Sequence, residues 1–490
     1  MSFLPRIHST LIRLSIGCLL LLSVSSCRDQ GESGGSGDPG ELEFPATPNI
    51  VLIVADDLGW NDVGCYFTES GQNGREKIET PALDAMAADG VRFTNFYTAS
   101  PVCTAARASI LTGCYPTRVG MGDPDPERGD VIFPQSDVGL SHAETTIAES
   151  LKPAGYASAM IGKWHLGRDT FEPHHQGFDL YYGPRSRSRR EPFAAVRRGD
   201  KVVEAIPHAE LTRRYTEEAI TFIRDHAEGP FFVYLAHSMP HTPLAASEAF
   251  LGKSARGLYG DTVAEIDWST GEILRALEEA GLRDNTLVMF TSDNGPASHL
   301  HALGGDAYPF QGGKGRTTEG GVRMPCIATW SGVIEPGQIS DVLWSTLDLL
   351  PTFARFAGVP GPALEIDGVD AAPTLIGKAA AEGTERPYFY YHREDLEAVR
   401  IGKWKLVFQH RRYDTVQFEK LRTAALYDLE ADISESLNVQ TRHPEVVERL
   451  KRAAAAMASE LGDAKTGTSG AGQRPIGRLD ASDERSGRGG

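Results

Sequence analysis

Cysteine is scarce, with six in 490 residues. Cys18 and Cys27 fall in the N-terminal segment, which leaves Cys65, Cys103, Cys114 and Cys326. Their spacing matches no zinc pattern and no dense disulfide framework. A pairing among Cys65, Cys114 and Cys326 stays open for an exported chain. The apolar run at residues 14–24 is too short to span a bilayer comfortably. Positive charge is in deficit: 49 lysines and arginines face 66 carboxylates, for a net charge of −17. That balance argues against a general nucleic-acid binder and describes an acidic body able to hold cations. The apolar share of 41% and the charged share of 23% are those of a globular protein, and the length accommodates one large domain plus a smaller one.

Arg6 and Arg13 precede the short apolar run, which ends in Ser25 and Ser26 before Cys27, the pattern of a secretory signal. Its ending, Val-Ser-Ser-Cys, resembles a bacterial lipobox, with Val24 where leucine is commonest. On that reading Cys27 is lipidated and becomes the first mature residue, so the protein is anchored in a bacterial cell envelope, periplasmic or at the surface. Simple cleavage near Ser26 with release is the other reading. Residues 30–40, rich in glycine and serine, have the composition of a flexible tether.

Residues 49–55 are continuously apolar and rich in β-branched side chains, as in a parallel strand buried on both faces, and Asp56 and Asp57 follow directly. Thr80-Pro81 opens a helix that Gly90 closes, and extended chain over 91–97 leads to a turn at Cys103. A helix over 145–152 and a strand over 156–161 deliver Lys163 and His165. Helix 209–226, strand 231–236, helix 262–280 and strand 287–291 follow, the last ending at Asp293-Asn294. The alternation predicts an α/β fold with a doubly wound, mostly parallel sheet. Ligands bind outside the carboxyl ends of such strands, where Asp56, Asp57, Lys163, His165, His241, Asp293 and Asn294 all fall. Six arginines within 185–198, Arg197 and Arg198 among them, read as a solvated loop, with contact to an anionic substrate as the lesser reading. Past Asp370, strands over 387–392, 398–409 and 424–429 and a helix over 444–461 predict a small antiparallel sheet with one covering helix. From Gly462 the glycine, serine and arginine content predicts disorder.

Cys103 sits where a loop becomes a helix, with Arg107 one turn on and on the same face. A helix start favours anionic character in a thiol and binding of anions. Two adjacent aspartates at a buried strand end repel each other, and protonation or a cation must relieve them. With Asp293 and Asn294 arriving from another strand, four hard oxygen donors point to calcium or magnesium over zinc. Lys163, His165, His241, and Lys314 in a glycine-rich stretch, join Arg107 to make a cationic pocket suited to a tetrahedral oxyanion. The reaction that fits is hydrolytic transfer of a sulfuryl or phosphoryl group. A cysteine phosphatase is disfavoured, because its Cys-x5-Arg loop would need arginine where the chain has Ser109.

Ser-Pro-Val-Cys-Thr-Ala-Ala-Arg-Ala-Ser-Ile-Leu-Thr-Gly resembles the signature of the formylglycine-dependent (type I) sulfatases, within the alkaline phosphatase superfamily. Val-Ala-Asp-Asp-Leu-Gly, Gly-Lys-Trp-His-Leu-Gly, His-Thr-Pro-Leu, Ser-Asp-Asn-Gly, Gly-Gly-Lys-Gly, Glu-Gly-Gly-Val-Arg and Leu-Tyr-Asp-Leu extend the similarity, in order, from Pro48 to about Asn438. The resemblance implies an alkaline-phosphatase-like large domain and an arylsulfatase-like hydrolysis of aryl or carbohydrate sulfate monoesters. It implies that Cys103 becomes formylglycine by a formylglycine-generating or sulfatase-maturating enzyme. It implies one calcium ion, with magnesium the poorer fit, held by Asp56, Asp57, Asp293, Asn294 and the modified Cys103. Arg107 then supports an oxygen nucleophile at 103; Lys163, Lys314 and His241 bind sulfate; His241 or Lys314 protonates the leaving oxygen; and His165 removes the proton that lets the aldehyde reform. A hydrolase of phosphonates or phosphodiesters using the same group, and an unmatured surface binder of sulfated glycans, are the competing readings. Two departures stand out: Ser186 and Ser188 are unsettled counterparts of a family serine, and Ala105 replaces a frequent proline. The expected organisation is a signal over 1–27, a tether over 28–46, a catalytic domain over 47–375, a C-terminal domain over 376–461 and a disordered tail over 462–490.

Overall fold

Seven consecutive residues without a polar face, Asn49–Ala55, leave no side for water, and every one of them is buried. In the computed structural model, which describes residues 44–68, 75–184, 192–377, 385–408 and 424–479, this strand lies at the middle of a ten-stranded sheet. From edge to edge the strands are Gln338–Ser340, Val91–Phe93, Cys326–Thr329, Thr286–Ser292, Asn49–Ala55, Phe231–Ala236, Ala157–Gly162, Leu180–Pro184, Phe193–Arg198 and Lys201–Pro207. The five from Thr286–Ser292 to Leu180–Pro184 run parallel, and strands at both flanks pair antiparallel, which makes the sheet mixed. Ala55 stands opposite Ser292, and Gly162 opposite Ala236. Four chain segments therefore leave the sheet at one edge.

Helices Leu211–Asp225 and Gly257–Glu279 pack beside each other against the core that contains Val51, Ile53, Val233 and Phe290. His237, just past its strand, is fully buried, and burial pushes its imidazole down to about 3. The folded ring stays neutral while the unfolded ring takes a proton below its ordinary 6.5, so stability is lost as pH falls from 6.5 toward 3. By pH 4.5 the loss from this residue is about 2–3 kcal/mol. Urea melts at pH 7 and 4.5 should show a shallower acid limb for His237→Asn than for the unsubstituted chain.

The C-terminal strands Tyr388–His392, Asp395–Ile401, Trp404–Val407 and Ala425–Asp428 form an antiparallel sheet covered by the helix Pro444–Leu461, which brings Val447, Leu450 and Ala454 onto it. The run expected as a single strand over 398–409 turns back at Gly402-Lys403 and supplies two. A buried ion cluster ties this sheet to the large one. Lys405 Nζ lies 2.9 Å from Glu319 and 2.7 Å from Glu435, all three without solvent access or nearly so.

Two further expectations need correction. The tail does not become disordered at Gly462: Arg474 binds Glu144 through two nitrogens at 2.7 and 2.8 Å, its amide donates to the Arg118 carbonyl, and Gly477–Arg478 pairs with Val138–Gly139. Composition gauges the entropy of a segment but says nothing of the partners waiting for it. The basic run is no loop where it is described, since Phe193–Arg198 is a strand. Arg197 there pairs with Glu172 at 2.6 Å and Arg198 with Glu218, so carboxylates already occupy both guanidinium groups. The segments 1–43 and 480–490, and Arg185, Ser186, Arg187, Ser188, Arg189 and Arg190, lie outside the described residues. Among the described residues all four cysteines are free thiols, and no helix is long and apolar enough to cross a membrane.

Candidate active site

Two adjacent parallel strands in register place Asp56-Asp57 and Asp293-Asn294 side by side. Asp57 turns the chain with φ 67°, a left-handed conformation that aspartate tolerates better than most residues. Carboxylate oxygens of Asp56, Asp57 and Asp293 all lie within 4.8 Å of one another, and the three residues are buried. Asn294 donates through Nδ2 to Asp57 Oδ1 at 2.7 Å, while its own Oδ1 is buried with no hydrogen-bond partner. Three carboxylates converging with an orphaned amide oxygen form a donor set for a hard divalent cation, so these residues fit the metal that their pattern implies.

The cations come from other elements. Gly162 ends its strand at φ 104°, where a Cβ would lie 1.9 Å from the Ala236 carbonyl; this close approach delivers the next residue to the sheet edge. Lys163 Nζ then reaches both oxygens of Asp56 at 2.7 and 2.8 Å. Lys314 Nζ lies 2.8 Å from Asp57 Oδ2, and His241 Nε2 lies 3.8 Å from the same oxygen. Helix Cys103–Thr112 is buried at every residue. Its Arg107, fully enclosed, donates from Nε to Asp293 Oδ2 at 2.9 Å and from Nη1 to the Lys163 carbonyl at 2.8 Å. The guanidinium thus faces the carboxylates and braces the loop that carries Lys163.

Burial raises the Asp56 carboxyl, but the charges of Lys163, Arg107 and Lys314, with His241 in its protonated form, outweigh it and hold the group well below its usual range. Burial dominates at Asp293 and pushes it up to about 6. His241 is pushed down to about 4 by burial, and His165 well down by burial with help from Lys163, so both rings are neutral near pH 7. His241 Nδ1 lies 2.6 Å from the Thr242 carbonyl, which can only accept, so Nδ1 carries the hydrogen and Nε2 presents its lone pair. Burial opposes the charge on Lys314, yet Asp57 and its neighbours raise its pKa. The Cys103 thiol, 2% exposed, is pushed up by burial. The anionic character expected of a thiol at a helix start is overridden there, because removal from water costs a thiolate more than the dipole returns.

All the predicted site residues belong to this contact network or adjoin its cavity; His165 joins through the cavity, with Nδ1 3.3 Å from Thr104 Oγ1, next to the cysteine. A cavity of about 520 Å³ opens over Asp56, Cys103, Lys163, His165, His241 and Lys314. Its further lining, the segment 130–134 with Asp130 and Phe133, carries no sequence signal, because it lies in a turn-rich stretch without periodicity. A second acidic group, Glu172 with His174 and Asp200, is close-set, but Glu172 is paired with Arg197 and Asp200 is largely in solvent.

Sequence comparison agrees with this geometry. A family model described as Sulfatase matches residues 48–359, and one described as the C-terminal region of aryl-sulfatase matches 383–478. The chain is 41% identical over 391 residues to N-acetylgalactosamine-6-sulfatase of Canis lupus familiaris, covering 75% of this chain and 73% of the relative. It is 37% identical over 458 residues to human arylsulfatase A, covering 84% and 88%. The crystal structure of Ps i-CgsB in complex with k-i-k-neocarrahexaose superimposes with a TM-score of 0.72 at 29% identity, covering 84% of this chain and 93% of that one. Sulfatases generally use a metal ion and a formylglycine, and the cluster of Asp56, Asp57 and Asp293 is one that could hold a metal ion. This chain belongs to the sulfatase family and is a hydrolase of sulfuric esters.

Proposed function

We propose that this sulfatase cleaves sulfate monoesters of aryl or carbohydrate alcohols through formylglycine at position 103 and one calcium ion held by Asp56, Asp57, Asp293, Asn294 and the modified residue 103. The reading is carried by the convergence of three buried carboxylates and the cations Lys163, Lys314 and Arg107 at the start of the Cys103 helix. Hydrated formylglycine would offer two hydroxyls, one of which gives its proton to solvent and attacks sulfur through its oxygen while the other is retained. When bound, the calcium ion lowers the cost of negative charge on that oxygen. Lys163 and Lys314 hold the sulfate oxygens, and His241 does so where the charge of the bound sulfate brings a proton to its Nε2. As the bond from sulfur to the alcohol oxygen breaks, its electron pair stays on that oxygen. Lys314, protonated throughout the neutral range, supplies the proton. His165, neutral in its buried setting, takes a proton from the second hydroxyl; the aldehyde reforms and sulfate departs.

This reading requires a maturating enzyme as partner, and with it we propose export and lipid anchoring through Cys27 in a bacterial envelope. Peptide mass spectrometry over residues 99–107, with parallel assays of aryl sulfate and phosphodiester turnover, tests it. An unmodified Cys103 in the native host, or a strong preference for the diester, would overturn it. Chelation should abolish turnover and lower the melting temperature, because Asp56, Asp57 and Asp293 then depend on lysines and Arg107 alone. Added calcium should restore both more fully than magnesium.

A further inference from the structure

Within the cavity, two carboxylates have no part in the chemistry described above, Asp130 and Glu172, and Glu172 is already paired with Arg197. Asp130 lines the pocket with 21% of its side chain exposed, beside Val131, Phe133 and Pro134. Its partner is His392, at the end of strand Tyr388–His392 in the C-terminal sheet and 2% exposed; Nε2 lies 3.3 Å from Asp130 Oδ2. An ionised carboxylate only accepts, so Nε2 donates. That hydrogen bond lowers the Asp130 pKa against the effect of burial, with Arg393 assisting, and keeps the group an acceptor. Cleavage of a sulfate ester does not call for such a group, since an anion near the sulfate repels it and the cation site has its own carboxylates. An acceptor beside an apolar wall instead suits a sugar ring, whose hydroxyls donate to the carboxylate while its C–H face packs on Phe133 and Pro134.

We infer that Asp130 is a specificity-determining residue that accepts hydrogen bonds from ring hydroxyls of the substrate, that His392 is its positioning residue, and that the substrate is a carbohydrate sulfate in preference to an aryl sulfate. The inference rests on the sulfatase reading proposed above and narrows its substrate class. Matured enzyme is assayed on galactose 6-sulfate and glucose 6-sulfate, and on 4-nitrophenyl sulfate, which has no ring hydroxyl. Asp130→Asn should raise KM for the sugar sulfate it acts on by about 10- to 100-fold with a smaller change in kcat. The ratio of sugar to aryl kcat/KM should fall at least about tenfold. His392→Ala should move the ratio in the same direction, and His392→Gln, which keeps an N–H donor, should recover part of it; melting temperatures separate this from misfolding. An unchanged ratio in well-folded Asp130→Asn or His392→Ala overturns the inference. So does an unsubstituted enzyme that cleaves the aryl ester but neither sugar sulfate, a result that leaves the sulfatase reading intact. Failure on every sulfate ester overturns both.

Discussion

Replacing Cys103 with alanine is expected to lower kcat/KM on aryl sulfate by at least about 10⁴-fold, because it removes the side chain from which the proposed nucleophile is made. The methyl group fits the space and the helix Cys103–Thr112 gains a better former, so thermal melting should change little. Serine is the more telling replacement. It keeps an oxygen at the same atom position, next to the same cations, but brings no second hydroxyl through which the sulfuryl group can be released. Cys103→Ser should therefore complete at most one turnover per molecule, seen as a burst without a steady state. Repeated turnover by this variant at a rate near that of the matured enzyme would show that position 103 needs only an oxygen, and that the modification is dispensable. The raised thiol pKa makes unmodified Cys103 a poor nucleophile as well, so enzyme made without maturation should be as inactive as the alanine variant.

The largest effect on stability is expected at Lys405. Its ammonium sits without solvent contact between Glu319 and Glu435 and also donates to the Thr317 carbonyl at 2.8 Å. Burial raises the Glu319 carboxyl, but Lys405, Arg323 and Arg400 more than reverse this and hold it at about 2. Lys405→Met keeps most of the aliphatic stem and deletes the charge, leaving two buried carboxylates facing each other. The cost is expected at about 3–5 kcal/mol, read as a lower urea midpoint at pH 7. Adding Glu435→Gln to Lys405→Met should restore part of it, since one of the two stranded charges is then gone. A single variant as stable as the unsubstituted chain would show that the cluster does not join the two sheets energetically.

What could be read from the chain differed with the range of the interaction. Buried central strands such as Asn49–Ala55 announce themselves, because six consecutive apolar residues after Asn49 admit only one kind of neighbourhood. The carboxyl-end rule alone puts Asp56, Asp57, Lys163 and Asp293 near one another. The structure places them there, with contacts of 2.7 to 3.6 Å among them and Arg107. The pairing of lysines with individual aspartates was not legible, and neither was the direction of Arg107, which turns to Asp293 and a carbonyl. The flanking hairpin Phe193–Arg198 with Lys201–Pro207 was not legible because its first strand continues a basic, turn-rich stretch, and the carboxylate partners of Arg197 and Arg198 come from elsewhere in the chain. The segment 462–479 misled for the same reason. Glu144, which fixes Arg474, is 330 residues away, and no local pattern can report it. Asp130 and His392 are the clearest case, with 262 residues between the two ends of one hydrogen bond.

The register of Ala55 opposite Ser292 also sets a clock. Asp56 and Asp57 leave the ribosome long before Asp293, which follows 236 residues after Asp57. No nascent chain shorter than that can close the site, and closing so distant a pair is among the slower steps in folding. The helix that begins at Cys103 is enclosed at every residue once the sheet is complete, with 2% of Cys103 left at the surface. An enzyme that must take the Cys103 side chain into its own active site can do so only in the interval before that closure. On the proposed maturation of Cys103, pairing of the two strands would bound that interval, and a change that hastens sheet assembly would be expected to lower the fraction of chains converted.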